Sequence, residues 1–275
     1  LTNVPRVKDV ETMTKLLESM GSNVKKIRNK NSLVIKNNKN MKTTAGYNLM
    51  STMRAGIIVL GPLLARFGKA KVSTPGGCSI GVRPIDIHLE ALKCMGVKYK
   101  IIDGYVHANA KNGLIGAKIR FPKISVGATE NLLIASCLAK GQTILSNCAI
   151  EPEIKDLTKF LNSIGAKIKW IGKREVKIIG VKKFKETKYK IMFDRIEAGT
   201  MLIAGAINQN NLTIKAIEPN ILKTEINILK KVGAKIIKKK TEINIQGRKK
   251  IKNINLKTSP FPGFATDLQA QMMVL

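Results

Sequence analysis

The chain contains an internal repeat, and this repeat restricts the possible folds more than any other feature of the sequence. Proline suits the first turn of a helix, and glycine suits the position just after its last turn. Four segments begin with proline, carry apolar residues at helical spacing and end with glycine: 5–21, 84–96, 152–165 and 219–233. The closing glycines are 75, 69 and 68 residues apart, so the sequence predicts a repeated unit of about 70 residues.

The residues after the closing glycines repeat as well. In three units they form two short predicted strands joined by a turn, namely "VKYKIIDGYVHA", "AKIKWIGKREVKIIG" and "AKIIKKKTEINIQ". A further helix is predicted ahead of the strand that leads into each proline, in "STMRAGIIVLGPLLARFG", "GATENLLIASCLAKG" and "AGTMLIAGAINQN". The predicted unit is therefore helix, strand, helix, strand, strand. The predicted fold class is α/β, with helices covering sheets.

Both ends of the chain fall inside this pattern. The last residues, "TDLQAQMMVL", begin another helix rich in small residues, and the first unit lacks its leading helix and strand. We therefore expect the chain to be the middle of a longer protein.

Composition indicates a globular chain. Apolar residues make up 44% of the 275 residues, which suffices for one large domain or two ordinary ones. No apolar run could cross a bilayer, and "LTNVPRVKDV" has no signal-peptide pattern. The four cysteines are far apart and form no C-x-x-C pair, which argues against a zinc site or a disulfide framework. We expect a cytoplasmic, monomeric protein with reduced thiols, no metal and no membrane partner.

The net charge of +31 raises the alternative of a nucleic-acid-binding protein. However, only nine of the 49 basic residues are arginines, and the lysines are scattered along the chain. Base readers favour arginine because its guanidinium can form two parallel hydrogen bonds. The chain is also rich in Asn and Ile, which like Lys have A/T-rich codons. We interpret the charge as a consequence of genome composition and expect no specific nucleic-acid partner.

One connection between a predicted strand and a predicted helix is longer than its counterparts. Residues 74–86 read "TPGGCSIGVRPID", whereas the later units make the same connection with "NCAIE" and "IE". Extra loop residues on a rigid scaffold often carry function. Arg83 stands just before a helix N-terminus, where an anion is favoured, and Cys78 near that positive field should have a lowered pKa and act as an acid or nucleophile. The alternative is a plain loop that holds an idle thiol.

The sequence resembles the UDP-N-acetylglucosamine 1-carboxyvinyltransferase family of the EPSP synthase superfamily. The resemblance rests on "MRAGIIVLGPLLARFGKAKVSTPGGCSIGVRPIDIH", "ISVGATENLL", "EPEIKDL", "DRIEAGT" and "PFPGFATDLQAQ", which follow the family's order along nearly the whole chain. It implies the enolpyruvyl transferase fold, an inside-out α/β barrel built from such repeated units. Residues 1–192 are then the first three-repeat domain without its start, and 193–275 are part of a second domain without its end.

The resemblance also implies a reaction. Enolpyruvate passes from phosphoenolpyruvate to the 3′-hydroxyl of UDP-N-acetylglucosamine by addition and elimination, and phosphate leaves. This is the first committed step of peptidoglycan synthesis and the target of fosfomycin. The two small-molecule substrates are the implied partners, and no cofactor is implied. Since a lysine–asparagine pair and an arginine of the family should lie outside this chain, we expect the chain alone to be inactive.

The resemblance implies roles for individual residues. Cys78 would donate a proton to the enolpyruvyl methylene, Asp267 would be the base at the sugar hydroxyl, and Arg83 would neutralise phosphate. The implied nucleotide-sugar site is lined by Arg54, Arg83, Pro84, Ile85, Asp86, Ile87, Lys123, Ile124, Ser125 and Val126. The implied supporting residues are Glu151, Asp194, Arg195 and Glu197.

Simpler interpretations of these residues stay open. Asp267 and Glu151 could be acidic residues that favour a helix start, and Asp194, Arg195 and Glu197 could be a surface ion-pair cluster of little energetic value. We expect His88 to pack or to face solvent rather than to catalyse. The chain departs from the family at Gly56, Ile150 and Ala265, where serine, arginine and proline are usual. The related EPSP synthases lack the "PGGC" loop, so Cys78 argues against that activity.

Overall fold

A computed structural model of the chain describes residues 1–27, 30–75, 85–208 and 211–275. These residues form two compact units, Leu1–Ile191 and Met192–Leu275, each with its own apolar core. The helices of the described residues are α1 (Lys8–Ser19), α2 (Tyr47–Met50), α3 (Leu60–Phe67), α4 (Asp86–Cys94), α5 (Val126–Ser136), α6 (Pro152–Ser163), α7 (Arg195–Ile207), α8 (Lys223–Val232) and α9 (Gln269–Val274). Short 3-10 helices cover Arg54–Val59, Pro219–Leu222 and Thr266–Leu268.

The strands of the described residues form four sheets. They are β1 (Ser22–Ile27), β2 (Ser32–Asn37), β3 (Thr44–Ala45), β4 (Lys69–Ser73), β5 (Lys98–Ile102), β6 (Tyr105–Asn109), β7 (Lys118–Arg120), β8 (Gln142–Ser146), β9 (Lys167–Gly172), β10 (Glu175–Ile179), β11 (Leu212–Lys215), β12 (Lys235–Lys238) and β13 (Glu242–Gln246). The sheet orders are β1-β2, β3-β4-β6-β5, β7-β8-β10-β9 and β11-β13-β12.

The predicted helix–strand–helix–strand–strand unit is confirmed by the element order. In three successive units the last strand inserts between the other two, as in β4-β6-β5, β8-β10-β9 and β11-β13-β12. The central pairs are antiparallel and bring apolar residues opposite each other at equivalent places, such as Val72 with Val106 and Leu145 with Val176. These side chains are fully buried, and each such burial contributes about 1.5–3 kcal/mol.

The predicted ends of the helical segments also agree with the structure. The four closing glycines have left-handed φ angles of 103°, 89°, 102° and 117° at Gly21, Gly96, Gly165 and Gly233. A residue with a Cβ is disfavoured in this conformation, so glycine ends each segment at low cost. The starts vary more. α6 begins at Pro152, but the first segment becomes helical only at Lys8, because Val7 is still extended.

Helix α5 lies in the core of the first unit. Its sequence is apolar around most of its circumference, as expected for a helix covered on several sides. Leu132, Leu133 and Ala135 are fully buried, and α3, α4 and α6 all pack against α5. In the second unit, α7 packs on β11 and β13, where Gly205 allows Ile245 to approach the helix closely. Within the described residues, none of the helices combines the length and the apolar character that crossing a membrane requires.

Candidate functional site

The first part of the candidate site is the start of α5. Ser125 precedes the helix in an extended conformation, and its hydroxyl accepts a hydrogen bond from the Ala128 amide at 3.3 Å. Thr129 donates to the Ser125 carbonyl at 2.7 Å and accepts from the Ala149 amide at 3.0 Å. The "SVGAT" sequence therefore builds a capped helix start that is hydrogen-bonded to the connection between β8 and α6. Ile124, Ser125 and Val126 are half-buried there, and the Lys123 side chain is exposed.

The second part is the start of α4. Asp86 is exposed in the first turn, where its negative charge favours the positive end of the helix dipole. Ile85 is half-buried at the capping position, and Ile87 is buried in the core. His88 follows in the next position and is also buried. Burial lowers the pKa of His88 to about 4, although the nearby Asp86 carboxylate acts in the opposite direction. The imidazole is therefore neutral at pH 7.

The third part is the segment that begins with Arg54. Arg54 is exposed at the first position of a 3-10 helix, directly after the buried Met53. The same short helix contains Gly56, where a side chain would need space that Met50 occupies, since a Cβ there would lie 3.0 Å from Met50 Cε. A serine at this position would therefore require the end of the Met50 side chain to move.

Asn131, inside α5, connects these three parts. Its Oδ1 accepts a hydrogen bond from the Gly61 amide at 2.8 Å, and its Nδ2 donates to the Ile57 carbonyl at 3.3 Å. The same Nδ2 lies 3.0 Å from His88 Nδ1. Because Nδ2 can only donate, His88 Nδ1 is the acceptor and the ring proton is on Nε2. The structure thus brings the Arg54 segment and the starts of α4 and α5 together in one region of the first unit.

A group of acidic side chains, Glu130, Glu151 and Glu153, also lies at α5. Glu130 is half-buried, and this burial together with the negative charges of Glu153 and Glu151 raises the pKa of Glu130 to about 7. Glu151 is buried just before α6. Its placement agrees with both earlier interpretations, a helix-start acid and a supporting residue of the site.

In the second unit, Asp267 is exposed in a 3-10 helix. The neighbouring Leu268 is fully buried and packs closely on Gly199 of α7, which fixes the position of this short helix. The residues before it form a turn in which the Ser259 amide donates to the Phe264 carbonyl at 3.0 Å. Asp267 is thus held on an ordered segment with its carboxylate at the surface.

The start of α7 holds the remaining supporting residues. Asp194 caps the helix, because its Oδ1 accepts from the Ile196 amide at 2.8 Å and from the Glu197 amide at 3.2 Å. Glu197 is exposed in the first turn, but Arg195 is buried and lies against the Phe261 ring. Burial raises the pKa of Glu225, and the positive charge of Arg195 partly offsets this rise. A surface ion-pair cluster is therefore the wrong description of Arg195.

Three of the expected site residues, Cys78, Arg83 and Pro84, belong to segment 76–84, which lies outside the described residues. In the described ranges, no group of three or more His, Cys, Asp or Glu side chains is arranged to hold a metal ion. In the described part of the site, the groups available to bind a ligand are the backbone amides at the starts of α4 and α5 and the exposed side chains of Arg54 and Lys123. Helix starts and such cations favour phosphate-bearing ligands.

Sequence reasoning missed Asn131 and Glu130, whereas the expectation that His88 packs or faces solvent agrees with its burial. Asn131 and Glu130 are polar residues inside the apolar run "ATENLLIAS", which is the signal that could have found them. A polar side chain that interrupts an apolar helix requires a buried partner.

Comparisons with known proteins cover the whole chain. The family model for EPSP synthase (3-phosphoshikimate 1-carboxyvinyltransferase) matches residues 1–275. The chain is 69% identical over 275 residues to a UDP-N-acetylglucosamine 1-carboxyvinyltransferase of Pelagibacter ubique, and covers 66% of that protein. It is 45% identical over 275 residues to one of Trichlorobacter lovleyi, of which it covers 65%. Both matches include 100% of this chain, which spans slightly less than two thirds of these relatives.

Solved structures show the fold. The enolpyruvyl transferase NikO from Streptomyces tendae superposes with a TM-score of 0.86 at 18% identity, over 98% of this chain and 65% of that one. An EPSP synthase from Acinetobacter baumannii superposes with a TM-score of 0.67 at 20% identity, over 93% of this chain and 60% of that one. The expected enolpyruvyl transferase fold is therefore confirmed, and the chain belongs to the EPSP synthase family.

Proposed function

We propose that this protein transfers enolpyruvate from phosphoenolpyruvate to the 3′-hydroxyl of UDP-N-acetylglucosamine with release of phosphate. The observation that carries the proposal is the 69% identity, over the full chain, to a Pelagibacter ubique protein named for this reaction. The start of α4, the capped start of α5 and the exposed Arg54 and Lys123 support it, since both substrates carry phosphate.

The chemistry requires an acid and a base at different atoms. In the addition step, Asp267 takes the proton from the sugar 3′-hydroxyl, and the 3′-oxygen of the sugar forms a bond to C2 of phosphoenolpyruvate. Cys78 gives a proton to C3, which becomes a methyl group in a tetrahedral ketal. In the elimination step, the C2–O bond to phosphate breaks, the Cys78 thiolate takes a proton back from the methyl group and the C=C bond re-forms. Arg83 offsets the charge of the departing phosphate.

The wider setting is part of the same proposal. The product is a peptidoglycan precursor, and both substrates are highly charged small molecules of the cytoplasm, where we place the protein as a monomer. A reactive thiolate at Cys78 would be alkylated by the epoxide of fosfomycin. Loss of activity with one fosfomycin bound per active site, mapped to Cys78, supports this role.

The test is phosphate release by the complete protein from phosphoenolpyruvate, with and without UDP-N-acetylglucosamine. We expect release only with the sugar nucleotide. We expect Cys78→Ser and Asp267→Asn to lower kcat by roughly 100-fold or more, as is usual for loss of an acid or base. The matched control is Cys94→Ser, which removes an exposed thiol at the end of α4 and should leave kcat within twofold.

Two results would overturn the proposal. One is phosphate release that depends on shikimate 3-phosphate instead of the sugar nucleotide, which would assign the activity of the EPSP synthases. The other is the absence of any acceptor-dependent release by a folded, complete protein.

A further inference from the structure

We propose that His88 and Asn131 are positioning residues that set the affinity for the nucleotide sugar, an inference that rests on the proposed function. They do so by joining the three segments whose residues are expected to line its binding site. These segments begin with Arg54, with Ile85 and with Lys123, and they are distant from one another in the sequence.

The Asn131 amide group forms a three-way junction. Its Oδ1 accepts from the Gly61 amide at 2.8 Å, and its Nδ2 is within 3.3 Å of the Ile57 carbonyl and 3.0 Å of His88 Nδ1. An amide nitrogen carries two protons, so both are used, one by the Arg54 segment and one by α4. These hydrogen bonds lie in the core, because Asn131 is fully buried and His88 is only 7% exposed.

His88 also lies beside the start of α5. A methyl group built on Gly127 would lie 3.5 Å from His88 Cε1 and 3.6 Å from Nε2, so the ring is about one methyl group away from this glycine. The ring therefore lies next to the first turn of α5, which follows Lys123–Ser125, and its own helix begins directly after Ile85. A side chain of this size, with an acceptor on the Asn131 side, keeps the two helix starts at a fixed separation.

This junction can affect binding because a buried hydrogen-bond donor or acceptor that loses its partner costs free energy. A buried donor that loses its acceptor is destabilised, so the surrounding segments shift until the donor finds another partner. A displacement of about 1 Å at groups that hold a ligand is enough to weaken binding and catalysis strongly. His88 itself need not touch the substrate for this effect.

The experiment compares His88→Leu, which keeps volume but removes the acceptor, with His88→Gln, which can restore it. In the complete protein we expect His88→Leu to raise KM for UDP-N-acetylglucosamine at least tenfold and to leave KM for phosphoenolpyruvate within twofold. His88→Gln should return the sugar KM to within threefold of wild type. The matched control is His107→Leu, which changes the only other histidine of the chain, on β6, and should alter neither KM.

A second measurement uses the wild-type protein and does not depend on any variant folding. With histidine labelled in 15N, we expect the His88 ring to show an unprotonated Nδ1 and to shift when UDP-N-acetylglucosamine is added, while the His107 ring does not. A protonated Nδ1, or a His88 ring unaffected by the sugar nucleotide, overturns the inference. So does an active His88→Leu enzyme whose sugar KM is unchanged. If the wild-type protein shows no sugar-dependent phosphate release at all, it is the proposed function that fails.

Discussion

At the scale of single residues, the pKa values of His88 and Glu130 in the first unit are both shifted in the direction that favours the neutral form of the side chain. Burial lowers the pKa of His88 to about 4 and raises that of Glu130 to about 7, the latter with help from Glu153 and Glu151. Glu130 belongs to α5, and His88 contacts Asn131 of the same helix. The two residues make stability depend on pH in opposite directions, since His88 stabilises the folded state more at higher pH and Glu130 stabilises it more at lower pH.

For His88 we expect stability to fall as the pH decreases. The folded pKa is below the unfolded value of 6.5, so the unfolded chain binds more protons between about 6.5 and about 4. The loss over this window is at most about 3 kcal/mol, since each pKa unit corresponds to about 1.4 kcal/mol. Urea unfolding of wild type and His88→Gln at several pH values measures it. An equally steep dependence in the variant contradicts the assignment, and His107→Gln is the control.

For Glu130 we expect the opposite behaviour. Its folded pKa is above the unfolded value of 4.5, so its stabilising contribution is complete below about 4.5 and is lost as the pH rises through about 7. Glu130→Gln, which cannot ionise, should therefore raise the free energy of unfolding at pH 8 by about 1–3 kcal/mol. Denaturant titrations at pH 8 and pH 5 check this. A variant that is less stable than wild type at pH 8 would show that the carboxylate is stabilising. The exposed Glu186→Gln serves as control.

At the scale of elements, the contact between α3 and α5 depends on a glycine. A Cβ at Gly61 would lie 2.8 Å from the Asn131 carbonyl oxygen and 3.1 Å from Ala135 Cβ, and it would overlap Asn131 Oδ1. Backbone and a hydrogen-bonded amide cannot move away easily, so the helices would have to separate.

We therefore expect Gly61→Ala to lower the free energy of unfolding by about 2–4 kcal/mol, the range typical of strongly overpacked sites. Gly46→Ala is the matched control, because a Cβ there has nothing within 4 Å, and it should cost less than about 1 kcal/mol. The two variants are compared by urea unfolding. If they are equally stable, the close approach of α3 and α5 is not the constraint described here.

The elements also show what the sequence could and could not predict. Proline, glycine and apolar spacing are local signals, so they located the helices and paired strands of each unit, and the left-handed closing glycines confirm them. Strands β3 and β7 were missed because two or three residues carry no periodic pattern. The Asn131 junction was missed because its partners His88 and Ile57 are 43 and 74 positions away, and only the tertiary fold brings them together.

At the scale of the whole molecule, the sequence carries a net charge of +31. Pairs in the described part such as Lys8–Glu11 at 3.9 Å and Lys93–Glu90 at 3.5 Å lie on the surface, where each contributes little. Repulsion among lysines therefore opposes the compact state.

We expect salt to stabilise the protein. Raising NaCl from about 20 to about 300 mM shortens the screening length and should increase the free energy of unfolding by about 1 kcal/mol or more. A variant with Lys249→Glu and Lys250→Glu, both exposed in the second unit, has fewer repulsions and should respond less. Urea midpoints at the two salt concentrations measure the effect. A midpoint that falls with salt would mean that attractive pairs dominate.

The shared strand order of the repeats has a consequence for how these molecules behave beside one another. In each of the three equivalent sheets, one outer strand, β5, β9 or β12, pairs with a single strand among the described residues. The far side of such an outer strand has a row of backbone amide and carbonyl groups that this pairing does not use. Such rows are templates on which a neighbouring chain can add a strand and start a fibril. Exposed lysines occur along all three of these strands, at Lys98, Lys100, Lys167, Lys169, Lys235 and Lys238. The lysines on these outer strands would thereby hinder strand addition between neighbouring molecules through charge repulsion.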